Sequence, residues 1–124
     1  MAEERTLVWI GSSKKDLMAF PEDVKDVIGY ALHLAEIGGK HSDAKPLKGY
    51  KGAGVLEIVD DYDGDTYRAV YTVKFEGAVY ALHAFQKKAK KGIETPKAEL
   101  AMIARRLKIA EAHQAEQTKR GRNG

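Results

Sequence analysis

Two stretches of the chain are rich in hydrophobic residues that favour β-strands, and a short turn separates them. Residues 67–74 and 78–86 are rich in Val, Tyr, Thr and Phe, which fit the pleated, half-buried surface of a sheet. Glu76 and Gly77 lie between the two stretches, and glycine readily adopts the positive φ that a tight turn requires. The pattern predicts an antiparallel β-hairpin.

Helical periodicity is found on both sides of this hairpin. Residues 7–10 form a short apolar strand, after which Ser12 and Ser13 can cap a helix that begins near Lys14. A second helix begins at Pro21, because proline is tolerated at a first helical position. Its apolar residues recur at helical spacing: Val24, Ile28, Ala31, Leu32 and Ala35. A third helix, which begins at Pro96, has a similar stripe: Leu100, Ile103, Leu107 and Ala110.

With a further strand over residues 55–59, the predicted order of elements is β-α-α-β-β-β-α. This order indicates an α+β fold, in which helices cover a small antiparallel sheet of about four strands. A chain of 124 residues can bury one hydrophobic core but not two. We therefore predict a single domain over residues 1–114, followed by a polar, disordered tail over residues 115–124.

The composition excludes several classes of protein. The chain has no cysteine, which rules out thiol catalysis and thiolate metal sites. No apolar run approaches the ~20 residues that span a bilayer, and the acidic N-terminal residues are unlike the basic start of a signal peptide. We expect a cytoplasmic protein with no membrane partner.

Positive charge is concentrated around the predicted hairpin. The net charge is only +3, but residues 46–108 contain 12 Lys and Arg against 8 Asp and Glu. Four cations follow the second strand within five positions: Lys87, Lys88, Lys90 and Lys91. Arg68 and Lys74 lie on the first strand, where period-2 alternation places them on the same face. Such a patch suggests a polyanion as partner, nucleic acid first; the alternative is a solvated, lysine-rich turn.

Two loops have compositions that suggest ligands but lack the spacing that those ligands need. Residues 45–54, KPLKGYKGAG, are basic and glycine-rich, yet the spacing of a phosphate-binding P-loop is absent. Residues 60–65, DDYDGD, alternate acids as calcium loops do, but the twelve-residue loop with its terminal glutamate is missing. We predict no metal and no cofactor.

The stretch YRAVYTVKFEGAVYALHAFQKKAKKGIETP, residues 67–96, resembles the signature of HigB-like toxins, a branch of the RelE/ParE toxin superfamily first described from phage-derived proteins. Members carry an Arg-x-x-Tyr strand, then a His-x-Phe-x-Lys-Lys segment and a Thr-Pro pair. The resemblance extends over residues 45–108. It implies ribosome-dependent cleavage of messenger RNA and, as a partner, a small helix-turn-helix antitoxin.

The resemblance also implies roles for individual residues. Arg68 matches the strand arginine of the family's active site, and Lys87 and Lys88 match its basic residues after the last strand. Lys48 matches a basic residue before the second strand. One position departs from many superfamily members, which read Leu-x-Glu-Leu-Arg on the second strand, because Val59 stands where that arginine would fall.

RNA can be cut without a metal when its own 2′-hydroxyl attacks the adjacent phosphate. The protein must then orient both groups, offset charge on the phosphoryl oxygens and move two protons. Arg68 is suited to binding the phosphate, because its guanidinium can donate hydrogen bonds to two phosphate oxygens at once. Lys87 and Lys88 can hold the RNA backbone or transfer a proton. His83 is a candidate general base. The alternative for His83 is a packed, hydrogen-bonded residue, since alternation places it on the strand face of Val79.

Further residues are candidates for binding RNA. The lysines in this group are Lys48, Lys51, Lys74, Lys90 and Lys91. Tyr71 could stack on a base, although packing on the sheet is the alternative for a strand tyrosine.

A second hypothesis treats the protein as a binding toxin without catalysis. ParE-type relatives act on DNA gyrase rather than cutting RNA, and a degenerate member could bind RNA or an antitoxin only. Val59 in place of the strand arginine favours this hypothesis, whereas Arg68 and the lysine cluster favour cleavage.

Overall fold

The computed structural model describes residues 4–50, 52–87 and 95–123. The secondary-structure elements confirm the predicted α+β class. The elements along the chain are β1 (Thr6–Trp9), α1 (Ser13–Met18), α2 (Glu22–Glu36), β2 (Lys45–Pro46), β3 (Val55–Tyr62), β4 (Asp65–Thr72), β5 (Ala78–Lys87) and α3 (Lys97–Asn123).

The sheet has five strands in the order β1-β5-β4-β3-β2. The predicted hairpin is β4 and β5, and β3 to β5 pair in antiparallel fashion. Two features differ from the predicted sheet of about four antiparallel strands: β1 pairs parallel to β5, and the two-residue β2 adds an edge beside β3. The period-2 pattern shows which residues share a face but not in which direction a neighbouring strand runs.

Helices cover both faces of the sheet. One face, here called the helical-hairpin face, packs Ile58 and Val79 against α1 and α2, whose buried residues include Val24, Ile28 and Leu32. On the other face, here called the α3 face, α3 covers a second apolar cluster: Val55, Val70, Tyr80, Leu82, Ile103 and Ala110. The core is therefore split into two layers by the sheet.

An irregularity in β5 changes the side to which His83 belongs. Val70 lies opposite His83, but the next residue of β4, Tyr71, lies opposite Ala81, so β5 contains one extra residue at this point. Such a bulge breaks the strict alternation of a strand. As a result Leu82 packs on the α3 face, and His83 also contacts α3. Placing His83 with Val79 by alternation was therefore wrong.

The third helix is longer than the sequence predicted. It continues to Asn123, so residues 115–123, expected to form a disordered tail, extend α3 instead. Ala, Glu, Gln, Lys and Arg favour helix, and these residues dominate the segment even though residues 115–121 are exposed. Within the described ranges, no helix is long and apolar enough to cross a membrane.

Candidate functional site

Arg68 lies on β4 at the α3 face and is only 4% exposed. One terminal nitrogen of its guanidinium, Nη1, lies 3.3 Å from Oε2 of Glu57 and 3.5 Å from the hydroxyl of Thr95. Glu57 is on the neighbouring strand β3, two residues from the position opposite Arg68. Arg68 and Glu57 therefore form an ion pair.

Two adjoining depressions open above this pair. The first, of about 540 Å³, is lined by Asp43, Lys45, Glu57, Val59 and Arg68. The second, of about 570 Å³, shares Lys45 and Glu57 with the first and adds Lys48, Thr95 and Lys97, along with apolar Pro46, Leu47 and Leu100. We call the two depressions together the groove. A buried arginine at its floor and lysines along its sides can bind a phosphate diester.

The groove brings together some of the predicted residues and adds others. Of the predicted residues, Arg68 lines the first depression and Lys48 the second. Lys45 and Lys97 also line the groove but were not singled out from the sequence. Lys45 is on the edge strand β2, and Lys97 begins α3, so only the packing of these two elements brings their side chains to the groove.

His83 is almost completely enclosed, with 7% of its surface exposed. Its Nε2 lies 2.7 Å from Oε1 of Glu99, and its Nδ1 lies 3.2 Å from Nη1 of Arg106. The imidazole also stacks on the ring of Phe85, with 5.0 Å between the ring centroids. Both ring nitrogens are therefore engaged, as expected for the packed, hydrogen-bonded alternative.

Arg106 is a charged residue of this region that the sequence did not identify as functional. It is 7% exposed and donates hydrogen bonds to the backbone oxygen of Leu82 at 3.0 Å and to Ser12 Oγ at 3.0 Å. The available signal was its helical spacing from Glu99 and Ile103, which puts all three on the side of α3 that faces the sheet.

Lys87 lies near the site, whereas Lys74 does not. Arg68 is opposite Phe85, and Lys87 is two residues further along β5, on the same face. Lys74 follows the other end of β4 and forms an ion pair with Glu111 of α3, with 2.8 Å between Nζ and Oε2. Lys51, Lys88, Lys90 and Lys91 lie outside the described residues.

Tyr71 lies on the opposite side of the sheet from Arg68. It is 1% exposed and belongs to the core of the helical-hairpin face, so the structure favours packing over stacking on RNA. Burial raises the pKa of its hydroxyl to about 12, because ionisation would place a charge in the core. Within the described part of the chain, this hydroxyl has no hydrogen-bond partner.

Acidic residues of the β3–β4 turn bond to their neighbours. Asp61 accepts a hydrogen bond from Thr66 at 2.9 Å, and Asp65 accepts one from Gln86 at 2.9 Å. Among residues 4–50, 52–87 and 95–123, no group of three or more His, Asp or Glu is arranged to hold a metal ion.

The α+β architecture, a mixed five-stranded open sheet with helices packed on it, is consistent with a RelE-like fold. Comparison with protein families matches residues 15–108 to the phage derived protein Gp49-like family (DUF891). The chain belongs to this family, which is part of the RelE/ParE-like toxin superfamily. No individual protein of curated function matches the chain significantly.

Proposed function

We propose that this protein is a HigB-like toxin of a type II toxin–antitoxin system and that it cleaves messenger RNA on the ribosome. The observation that carries the proposal is the position of Arg68. Its guanidinium is buried beside a carboxylate at the floor of a groove whose sides carry Lys45, Lys48 and Lys97. A Gp49-like chain of the RelE/ParE-like superfamily is expected to act as a toxin.

Groups in the groove, together with Lys87 near it, match the needs of cleavage by the 2′-hydroxyl of RNA. Arg68 binds the non-bridging oxygens of the scissile phosphate and stabilises the charge that develops on them. The 2′-oxygen forms a bond to phosphorus as the bond from phosphorus to the 5′-oxygen breaks. Glu57 takes the proton of the 2′-hydroxyl, and Lys87 gives a proton to the departing 5′-oxygen. The products are a 2′,3′-cyclic phosphate and a 5′-hydroxyl.

The ion pair between Arg68 and Glu57 is compatible with these two roles, phosphate binding by Arg68 and proton acceptance by Glu57. In the free protein Glu57 offsets the buried charge of Arg68, which would otherwise be costly. When a phosphate binds Arg68, it supplies the negative charge instead. The Glu57 carboxylate is then adjacent to the phosphate and available to accept a proton.

The lysines hold the RNA backbone, and a second protein restrains the toxin. Lys45, Lys48 and Lys97 contact phosphates on either side of the cleaved bond. Lys51, Lys88, Lys90 and Lys91, which lie outside the described residues, are further candidates for binding RNA on the basis of the sequence. The proposed partner is a helix-turn-helix antitoxin. The proposed place of action is the cytoplasm, where messenger RNA is translated.

One observation favours the alternative of a binding toxin that acts on DNA gyrase. Val59 lines the groove at the position where many superfamily members have a strand arginine, so the groove has an apolar side chain there instead of a phosphate ligand. The two functions differ in their products, because only a ribonuclease leaves cut RNA.

Induced expression without an antitoxin tests the proposal. We expect growth to stop, and purified protein added to ribosomes with a defined messenger RNA to yield fragments with cyclic-phosphate and 5′-hydroxyl ends. Growth arrest with intact messenger RNA and inhibited gyrase would support the binding toxin. Normal growth with folded protein accumulating would refute both functions.

A further inference from the structure

A chain of hydrogen bonds crosses the α3 face from α1 to the first turn of α3, and Arg106 is its central member. Ser12 Oγ lies 2.7 Å from Oδ2 of Asp16, to which it donates its proton. The same oxygen accepts a bond from Nη2 of Arg106 at 3.0 Å. On its other side Arg106 bonds to His83 at 3.2 Å, which in turn bonds to Glu99 at 2.7 Å.

The chemistry of arginine fixes the direction of every bond in this chain. A guanidinium has donors only, so Nδ1 of His83 must accept the bond from Arg106 and cannot itself carry a proton. The single proton of a neutral imidazole is then on Nε2, from which it is donated to the Glu99 carboxylate. In this arrangement neither nitrogen of His83 can accept a proton from RNA.

The last member of the chain, Glu99, lies in the first turn of α3, close in sequence to the residue that contacts Arg68. The backbone amide of Leu100 donates to the carbonyl of Pro96 at 3.0 Å, so helical bonding begins at Pro96. Thr95 directly precedes this first bonded residue, and its position therefore depends on how the start of α3 is held. Thr95 Oγ1 is 3.5 Å from Nη1 of Arg68.

We propose that Arg106 is a positioning residue of the groove, which holds His83 as the neutral Nε2-protonated tautomer and thereby anchors Glu99, so that the first turn of α3 keeps Thr95 against Arg68. The proposal rests on the ribonuclease function proposed above. Arg106 acts through other residues and does not touch the RNA. His83 becomes a link in the chain rather than the general base.

The guanidinium of Arg106 is closely packed against Gly11, which supports a positioning role. Gly11 has a φ of 57°, and a β-carbon at this position would lie 2.9 Å from Nε of Arg106. A side chain at Gly11 would therefore have to displace the guanidinium or the backbone. The absence of a side chain at Gly11, before α1, therefore leaves room for the guanidinium of Arg106 from α3.

Nitrogen-15 NMR of His83 combined with cleavage of messenger RNA on purified ribosomes tests the proposal. In the wild type we expect a protonated Nε2 and an unprotonated Nδ1. In Arg106→Met we expect this preference to be lost. The cleavage rate at saturating substrate should fall about 10²-fold with little change in KM, the size of effect that a remote misplacement can cause. Arg105→Met, which changes the exposed neighbour on α3, should match the wild type in both measurements.

A second variant keeps the test decisive if Arg106→Met does not fold. Glu99 is partly exposed, so Glu99→Ala should fold. It should keep the Nε2-protonated tautomer, because Arg106 still occupies Nδ1, but it should lose a similar factor in cleavage rate.

Three results would overturn the positioning role: a wild-type His83 protonated on Nδ1, a folded Arg106→Met that cleaves like Arg105→Met, or normal cleavage by Glu99→Ala. A wild type that shows the expected tautomer but cuts no RNA would overturn the ribonuclease function and support the hydrogen-bond chain. The two failures are therefore distinguishable.

Discussion

The two faces of the sheet are buried in different ways. On the helical-hairpin face, α1 and α2 cover a continuous apolar layer, in which the hydroxyl of Tyr71 is a polar exception. On the α3 face, an apolar cluster around Val70 and Ile103 adjoins a charged region that contains Arg68 and Arg106, each at most 7% exposed.

This difference indicates that the charged part of the α3 face is less favourable for folding stability and is kept for the chemistry of the site. Burying an ion pair costs desolvation that its attraction only partly offsets, and apolar side chains of similar volume are often at least as stabilising. The pair of Arg68 and Glu57 lies directly under the groove. We infer that the helical-hairpin face stabilises the fold and that the charged part of the α3 face serves the site.

Two buried isoleucines, one on each face, give the largest expected effect. Ile28 on α2 and Ile103 on α3 are both 0% exposed, and truncation to alanine at such sites costs about 2–5 kcal/mol of the unfolding free energy. Ile103 lies on α3 between Glu99 and Arg106, so Ile103→Ala should also reduce cleavage by the folded fraction. Ile28→Ala should not. Urea unfolding and single-turnover cleavage of the same samples measure both quantities, and equal losses of cleavage would contradict the division between the faces.

Tyr71 gives a smaller effect that depends on pH. Its folded pKa of about 12 lies above the ordinary value of 10.0, so the folded protein keeps a proton that the unfolded chain loses. The associated stability is complete below pH 10 and is lost as the pH rises toward 12. Tyr71→Phe should be neutral or slightly stabilising at pH 7, because the hydroxyl it removes has no partner among the described residues.

Chemical unfolding of the wild type and Tyr71→Phe at pH 8 to 11 measures this contribution. The variant should lose less stability than the wild type above pH 10. Identical slopes in alkali, or a destabilised variant at pH 7, would mean that the hydroxyl is solvated or bonded in the folded protein.

Lysines of the groove should give the smallest effect on stability. Replacing Lys45 and Lys48, both exposed, by alanine should change the unfolding free energy by less than about 1 kcal/mol. RNA affinity should fall, and its dependence on the logarithm of salt concentration should flatten by roughly 0.7 per lost phosphate contact. Lys14→Ala with Lys15→Ala, exposed on α1, is the matched control, and an unchanged salt slope for the groove variant would place the RNA elsewhere.

The sequence predicted the elements of the fold better than their arrangement. Helical spacing identified α2 through Val24 and Ile28, and strand-favouring residues on both sides of a glycine turn identified β4 and β5. The parallel pairing of β1 with β5 depends on contacts between residues more than seventy positions apart, for which a local pattern contains no signal. The bulge at Leu82 is similar, since it is defined by the register with β4.

The site could be predicted only in part for the same reason. Arg68 was identified by resemblance, whereas its pairing with Glu57 depends on the antiparallel pairing of β3 and β4, which brings the two residues together. Arg106 was missed because its partners come from β5 and from Ser12, the residue that precedes α1. Its burial becomes visible only when these elements are packed.

The most direct test of the account is Arg68→Lys, measured by single-turnover cleavage of ribosome-bound messenger RNA and by thermal unfolding of the same preparation. Lysine keeps the charge beside Glu57 but loses the fork that binds two phosphate oxygens. We expect cleavage to fall by roughly 10²–10³-fold with a melting temperature close to that of the wild type. Arg5→Lys, which changes a half-buried arginine bonded to the backbone of Val73, should cleave normally. A lower melting temperature with near-wild-type cleavage by folded Arg68→Lys would contradict the account and reduce Arg68 to a structural partner of Glu57.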